Sequence, residues 1–219
     1  MIAAGRSTER AGRLLAAVLA VVCALASGCA SAPPETFYTL TAGVQRAVKG
    51  AAPPVGLPGP GPSPRTVVVA PAAVPELVDR PQLVLKAGDN RVVLLEQRRW
   101  GEPLRAQIAR VVAEDLGGWL DGWRIATRED ALPAPDCRVT LDVRRFDSSR
   151  TGPAVSDVLW RISCVNGAVR TGQSAASEPV AAAPGDALAP VVAAHGRALD
   201  RLSRHIAQGL REAAGEPRP

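Results

Sequence analysis

Cys137-Arg138-Val139-Thr140-Leu141-Asp142-Val143-Arg144-Arg145-Phe146 and, a short turn later, Val155-Ser156-Asp157-Val158-Leu159-Trp160-Arg161-Ile162-Ser163-Cys164-Val165 are the two stretches that decide the fold. In the first, Val139, Leu141 and Val143 alternate with Arg138, Thr140, Asp142 and Arg144. In the second, Val158, Trp160 and Ile162 take the apolar positions. A period of two is the signature of a strand with one buried face. If the chain folds back about Arg150 and Thr151, the two registers agree. Val139 then faces Ile162, Leu141 faces Trp160, Val143 faces Val158, and on the other face Arg144 meets Asp157. A slip of one residue would turn every apolar side chain to solvent and break the charge pair. The same register sets Cys137 opposite Cys164.

Around this hairpin the other elements follow from local pattern. Phe37-Tyr38-Thr39-Leu40 reads as a short strand. Thr66-Val67-Val68-Val69-Ala70 is a continuous apolar run, as expected of a strand covered on both faces. Gln82–Lys86 and Arg91–Glu96 flank Ala87-Gly88-Asp89-Asn90, a turn-forming sequence, and predict a second hairpin. Pro103 suits the first turn of a helix. Leu104, Ile108, Val111, Val112 and Leu116 follow at helical spacing, and Gly117-Gly118 predicts the helix end. Trp123–Thr127 and Ala168–Ser177 read as strands, the latter after a turn at Asn166-Gly167. Leu188, Val192, His195, Leu199, Leu202, Ile206 and Leu210 form the apolar stripe of a long final helix starting between Ala187 and Pro190. Residues 213–219 are a frayed tail. Ala51–Pro64, with prolines at 53, 54, 58, 60, 62 and 64, suits neither helix nor central strand and reads as an extended loop.

The N-terminus carries an address. Arg6, Arg10 and Arg13 precede an apolar run from Leu14 to Ala26, about 13 residues where a membrane span needs roughly 20. Ser27 and Gly28 then stand before Cys29. This is a signal peptide over residues 1–28 with a lipoprotein cleavage site. An uncleaved anchor helix and a plain secretory signal are the alternatives. Cys23 competes poorly because bulky Val22 precedes it, and Ala26 stands where Leu is usual. Cys29 is therefore the expected lipidation site, and residues 29–36 a short tether. Two or more acyl chains give stable anchoring. Ala30 and Ser31, in place of an inner-membrane retention Asp, favour the periplasmic face of the outer membrane. In that oxidising compartment, Cys137 and Cys164 are expected either as a disulfide or as two buried thiols.

Composition excludes some function classes. The net charge of +5 falls to about +3 once the leader is removed, too mild and dispersed for nucleic-acid binding. Hydrophobic content is 47% but aromatics only 3%, so the core is aliphatic. The 2 histidines, His195 and His205, lie on the final helix about 80° apart, and His195 falls on the apolar stripe as a core residue. No nucleophile elbow, zinc motif, Cys-x-x-Cys or phosphate-binding loop is present. No enzyme, cofactor or metal site is expected. Glu102, just before Pro103, is expected to interact with the helix N-terminus.

Several segments in order resemble one family: Phe37-Tyr38-Thr39-Leu40, Glu76–Val84 with its Asp79-Arg80-Pro81, Trp100-Gly101-Glu102-Pro103-Leu104 opening a helix that ends Ala113-Glu114-Asp115-Leu116, and Leu202-Ser203-Arg204-His205-Ile206. Together they are similar to the ABC-type transport auxiliary lipoproteins, which include the paraquat-inducible protein C lipoproteins. Gly101 stands where Ala is expected, the Pro-rich loop is longer, and the cysteine pair is not a family feature. The resemblance implies a compact α/β domain over residues 37–212, with a mixed β-sheet flanked by helices. It implies a non-enzymatic subunit working with an MCE-domain tunnel protein and, through it, an inner-membrane permease and ATPase. Phospholipid or other hydrophobic cargo and a homo-oligomeric ring are further implications. A stand-alone lipid-binding lipoprotein is the alternative. Asp79, Arg80 and Trp100 are the expected partner-interface residues; for Asp79-Arg80-Pro81 the plainer reading is a turn with a local ion pair. Trp100, Trp119 and Trp123 lie near element ends, and Trp160 is expected in the core.

Overall fold

A computed structural model of the chain describes residues 34–43, 64–128, 134–184 and 187–215. The leader, Cys29 and the Pro-rich segment up to residue 63 lie outside the described residues. The elements are β1 (Thr36–Tyr38), β2 (Thr66–Val69), β3 (Gln82–Lys86), β4 (Val92–Trp100), α1 (Leu104–Trp119), β5 (Arg124–Ala126), β6 (Cys137–Asp147), β7 (Ala154–Cys164), β8 (Val169–Glu178) and α2 (Ala189–Ala213). Glu35 onward forms one compact unit.

The strands divide between two sheets. The larger runs β5-β2-β6-β7-β8, and the smaller runs β1-β4-β3. In the larger sheet β2 pairs parallel with both β5 and β6, while β6, β7 and β8 are antiparallel. The mixed sheet expected from sequence is this one, and the β3–β4 hairpin stands apart from it. It takes β1 as a parallel neighbour and is bridged to the end of β6 at Leu85–Ser148, where Lys86 N–H donates to Ser148 O at 2.8 Å. Both helices pack against the larger sheet and against each other.

The β6–β7 register pairs Val139 with Ile162, Leu141 with Trp160, Val143 with Val158 and Cys137 with Cys164. It departs from the expected pairing beyond Val143, where a bulge makes Arg145, not Arg144, the partner of Asp157. The cause is the spacing of the apolar positions. Two polar residues separate Val143 from Phe146, so one extra residue is needed to keep both inside. Val143 and Phe146 are buried while Arg144 and Arg145 are exposed. Arg144 then lies 3.9 Å from Asp142, Arg145 lies 2.6 Å from Asp147, and Asp157 accepts from Gln173 Nε2 at 2.7 Å. The sulfurs of Cys137 and Cys164 are joined across the strand pair.

Val67, Val68 and Val69 of β2 are all at most 1% exposed, as their continuous apolar run predicts. The start of β2 is pinned to β6 by Asp136, whose Oδ2 accepts from Thr66 N–H at 2.7 Å and Thr66 Oγ1 at 2.8 Å. These bonds hold the Asp136 carboxyl below its ordinary pKa. The glycine pair does not end α1, which runs on to Trp119 and closes with Leu120 N–H donating to Leu116 O at 2.8 Å. The turn after β7 forms at Gly167, whose φ of 81° needs a glycine. The stripe of α2 is buried throughout, with Leu199, Leu202, Ile206 and Leu210 at most 1% exposed. Each such aliphatic side chain contributes about 1.5–3 kcal/mol on burial.

Trp160 is half-buried, and its ring packs against the core beside two glycines. A Cβ on Gly172 would lie 2.3 Å from Trp160 Cζ2, and one on Gly209 of α2 would lie 3.2 Å from Trp160 Cη2 and 2.9 Å from Ile162 Cδ1. The two glycines thus let a large ring fit between β8 and α2. Gly172→Ala is expected to cost about 1–3 kcal/mol by overpacking, read as a lower urea midpoint, and Trp160→Leu in the same chain should recover part of it. An unchanged midpoint in the single variant would refute this account. For the cysteine pair, a thiol count on denatured, unreduced mature protein is expected to find none free, and reduction to lower stability by on the order of 3.5 kcal/mol.

Candidate functional site

The segments that carry Asp79, Arg80 and Trp100 are far apart in sequence and meet at the start of α1. Asp79-Arg80-Pro81 leads into β3, and Trp100 ends β4. Trp100 N–H donates to Pro81 O at 2.7 Å, and Gly101 N–H donates to Tyr38 O at 2.8 Å. These bonds tie the two β3–β4 ends and β1 together. Pro103 then sets the direction of α1, its carbonyl accepting from Ala106 and Gln107 N–H groups at 2.9 and 3.1 Å. The result is a surface depression of about 480 Å³, lined by Asp79, Arg80, Pro81, Trp100, Pro103 and Arg105 among others.

Within it, Asp79 does not pair with its neighbour Arg80. It pairs with Arg105 in the first turn of α1, whose Nε donates to Asp79 Oδ1 at 3.3 Å and whose Nη2 bonds Oδ2. A carboxylate is favoured there because the helix N-terminus carries a partial positive charge. This contact raises the Arg105 pKa above its ordinary value, the hydrogen bond being the larger cause and the charge of Asp79 the next. Glu102, expected at the helix N-terminus, instead lies 3.7 Å from Arg110. Arg80 Nε is buried without a hydrogen-bond partner. Trp100 is only 7% exposed, with its ring edge-on to Phe146 at 6.3 Å. It is thus a buried support of the depression, and Arg80 and Asp79 are its polar rim.

One residue that sequence reasoning missed organises this region. Gln107 lies on the buried face of α1 and is fully buried. Its Oε1 accepts from Leu40 N–H at 2.8 Å, and its Nε2 donates to Glu102 O at 2.8 Å. A glutamine among the apolar positions of α1 was the available signal, since a buried amide needs partners. Arg110 adds a parallel link, donating to Leu40 O at 3.0 Å and to Glu114 Oε1 at 3.0 Å.

An arrangement with a catalytic look is Ser148 beside His195, with Oγ and Nε2 2.9 Å apart. Neither side chain reaches solvent: His195 is 0% and Ser148 4% exposed. The imidazole is stacked on Phe146 at 3.8 Å, with 11° between the planes. Burial pushes the His195 pKa down to about 3, against the opposing charge of Asp147. The imidazole is therefore neutral at physiological pH and links the end of β6 to α2, the core role its stripe position predicts. His205 Nδ1 lies 3.2 Å from Ser174 Oγ and 31 residues from it in sequence, a link from α2 to β8. Among the described residues, no group of three His, Cys, Asp or Glu side chains could hold a metal ion.

The model of one protein family, described as the ABC-type transport auxiliary lipoprotein component, matches residues 38–207. The chain belongs to this family. Its match begins at Tyr38 in β1 and ends at Ala207 in α2, so it takes in the whole depression around Arg80. No curated protein sequence matches the chain. Among solved structures, one described as an uncharacterized protein aligns with a TM-score of 0.64 at 17% identity, covering 81% of this chain and 99% of its own. A Xanthomonas campestris protein aligns at 0.56, also at 17% identity, covering 82% of this chain and 97% of its own. These two share the fold. Membership in this family associates the chain with an ABC transport system. No helix among the described residues is long and apolar enough to cross a membrane.

The sealed histidine gives a pH prediction. The folded state keeps His195 neutral down to about pH 3, whereas an unfolded chain protonates it below its ordinary value of 6.5. The unfolded state then binds more protons, so stability falls as pH falls below about 6.5 and continues to fall toward 3. Urea unfolding at several pH values should show His195→Gln losing stability less steeply than the unmutated protein, by about 1.4 kcal/mol per pH unit between pH 4 and 6. Equal slopes would show that the imidazole is protonated without cost.

Proposed function

We propose that this lipoprotein is a non-catalytic contact subunit of an MCE-type ABC transport system. Cys29 is acylated and holds the domain at the periplasmic face of the outer membrane. The domain docks on an MCE-domain tunnel protein and, through it, works with the inner-membrane permease and ATPase. The cargo is phospholipid or another hydrophobic molecule, and the subunit repeats as a homo-oligomeric ring. In the periplasm Cys137 and Cys164 stay bonded.

The observation that carries this reading is the depression at the start of α1. Sequence-distant residues, inside the segment matched by the family, build a rigid polar rim around Arg80 over the buried Trp100. The interior behind it is filled: Leu40, Leu83, Leu104, Ile108, Leu116 and Leu120 are each at most 2% exposed. A filled interior and a built surface suit a protein that works by contact. A stand-alone lipid carrier would instead need an enclosed apolar cavity of several hundred cubic ångströms.

Affinity recovery from detergent-solubilised envelopes tests the reading. The lipidated protein is expected to bring down an MCE-domain protein. Arg80→Glu should reduce that recovery several-fold while circular dichroism shows the domain still folded. Cys29→Ser should yield a folded protein released from the membrane fraction. Recovery of one lipid per chain and no MCE-domain protein would assign the carrier role instead.

A further inference from the structure

We propose that the end of the small sheet nearest the tether rests on the bilayer, with Phe37 seated among the lipid headgroups. The proposal builds on the acylation of Cys29 argued above. The chain has 7 aromatic residues, 4 Trp, 2 Phe and 1 Tyr. Phe37 is the exposed one, at 61%, and the other six are buried or half-buried. Its direction is set by the sheet. Tyr38 pairs with Trp100, and both pack toward the core, so Phe37 and its cross-strand partner Arg99 point to the opposite face. Strand pairing to β4 fixes the backbone, and the ring cannot turn inward without breaking that register.

The position along the chain says what meets it. Phe37 lies eight residues after Cys29, and a fully extended chain of that length reaches at most about 29 Å. With the acyl chains of Cys29 in the bilayer, Phe37 is held within that distance of the headgroups. The neighbours suit the same environment. Phe37, Arg99 and Gln82 form one row across β1, β4 and β3. Glu35 lies 3.1 Å from Arg99 Nε, so the row carries little net charge. A phenyl ring enters the headgroup–acyl boundary as an apolar group, and an arginine stem beside it lies along that boundary while its guanidinium stays in water. The other exposed large apolar residues, Leu77 at 46%, Val92 at 39%, Val93 at 42%, Val165 at 78% and Val169 at 43%, all stand much further along the chain from Cys29 than Phe37 does. The acyl chains supply the affinity, and Phe37 sets which way the domain faces.

The test uses the lipidated full-length protein. Cys23 leaves with the leader, Cys29 is acylated and the Cys137–Cys164 pair is bonded, so Phe37→Cys presents a single reactive thiol. It is labelled with an environment-sensitive nitrobenzoxadiazole and placed in vesicles of phosphatidylethanolamine and phosphatidylglycerol carrying a doxyl-labelled lipid. The label at position 37 is expected to emit at shorter wavelength than the same label on Val165→Cys. It should be quenched by the doxyl lipid and several-fold less by iodide. A water-like signal at position 37 in protein that floats with the vesicles overturns the inference and leaves the anchor standing. Shielding from iodide without doxyl quenching assigns Phe37 to a protein contact and overturns it as well. Protein that does not float overturns the anchor, and the inference with it.

Discussion

Everything else in this domain is placed by the register between β6 and β7. Those two strands are the longest, and each takes its other neighbour from the pairing they establish. β2 lies along β6, β8 lies along β7, and α2 covers the apolar face that β7 and β8 present. The constraint is parity. Side chains alternate across a strand, so a slip of one residue would put Val139, Leu141 and Val143 on the opposite face from Val158 and Ile162. The bulge at Arg144 keeps that constraint beyond Val143 by adding one residue where the apolar spacing widens. Phe146 is thereby kept inside, where it meets both Trp100 and His195.

That placement of Phe146 links the two sheets. Trp100, at the end of the small sheet, lies edge-on to it, and His195 of α2 stacks upon it. The small sheet is otherwise joined to the large one by the bridge at Leu85 and Ser148, and Ser148 is also the partner of His195. The Ser148–His195 pair is thus a joint between the sheets and α2. It is sealed, neutral and without access to substrate. A neutral imidazole, with Nε2 bonded to a hydroxyl, avoids the cost of a buried charge.

The start of α1 does for the surface what this joint does for the interior. Pro103 directs the helix, Gln107 ties it to Leu40 and Glu102, and Arg105 holds Asp79. The outcome is a rigid rim with Arg80 in it, backed by filled core. In a family of transport auxiliary lipoproteins, such a surface fits a subunit that positions other components. Phe37, on the strand next to the tether, would orient that surface relative to the bilayer.

Much of this was legible from residues alone. The alternation in β6 and β7 contained their register, the valine run contained the covered strand β2, and the stripe of α2 contained its buried face, His195 included. Local patterns specify such elements because burial and backbone period act over a few residues. The bulge was legible in principle from Val143-Arg144-Arg145-Phe146, but a strict alternation passes over it. The glycine pair at 117 and 118 misled, because tertiary burial of α1 outweighs a weak local stop signal. What sequence could not supply was the company each side chain keeps. Asp79 has a basic neighbour in the chain and pairs with Arg105 instead, since helix geometry brings that guanidinium to it. Trp100 looked like a contact residue and is buried, since the small sheet folds its end against Phe146. The sequence by itself determined the strands, the helices and the central register, because those rest on periodicity and short motifs. Only the tertiary structure decided the division into two sheets and the residues that share the rim around Arg80, because those rest on contacts between segments whose separation in sequence carries no trace of their distance in space.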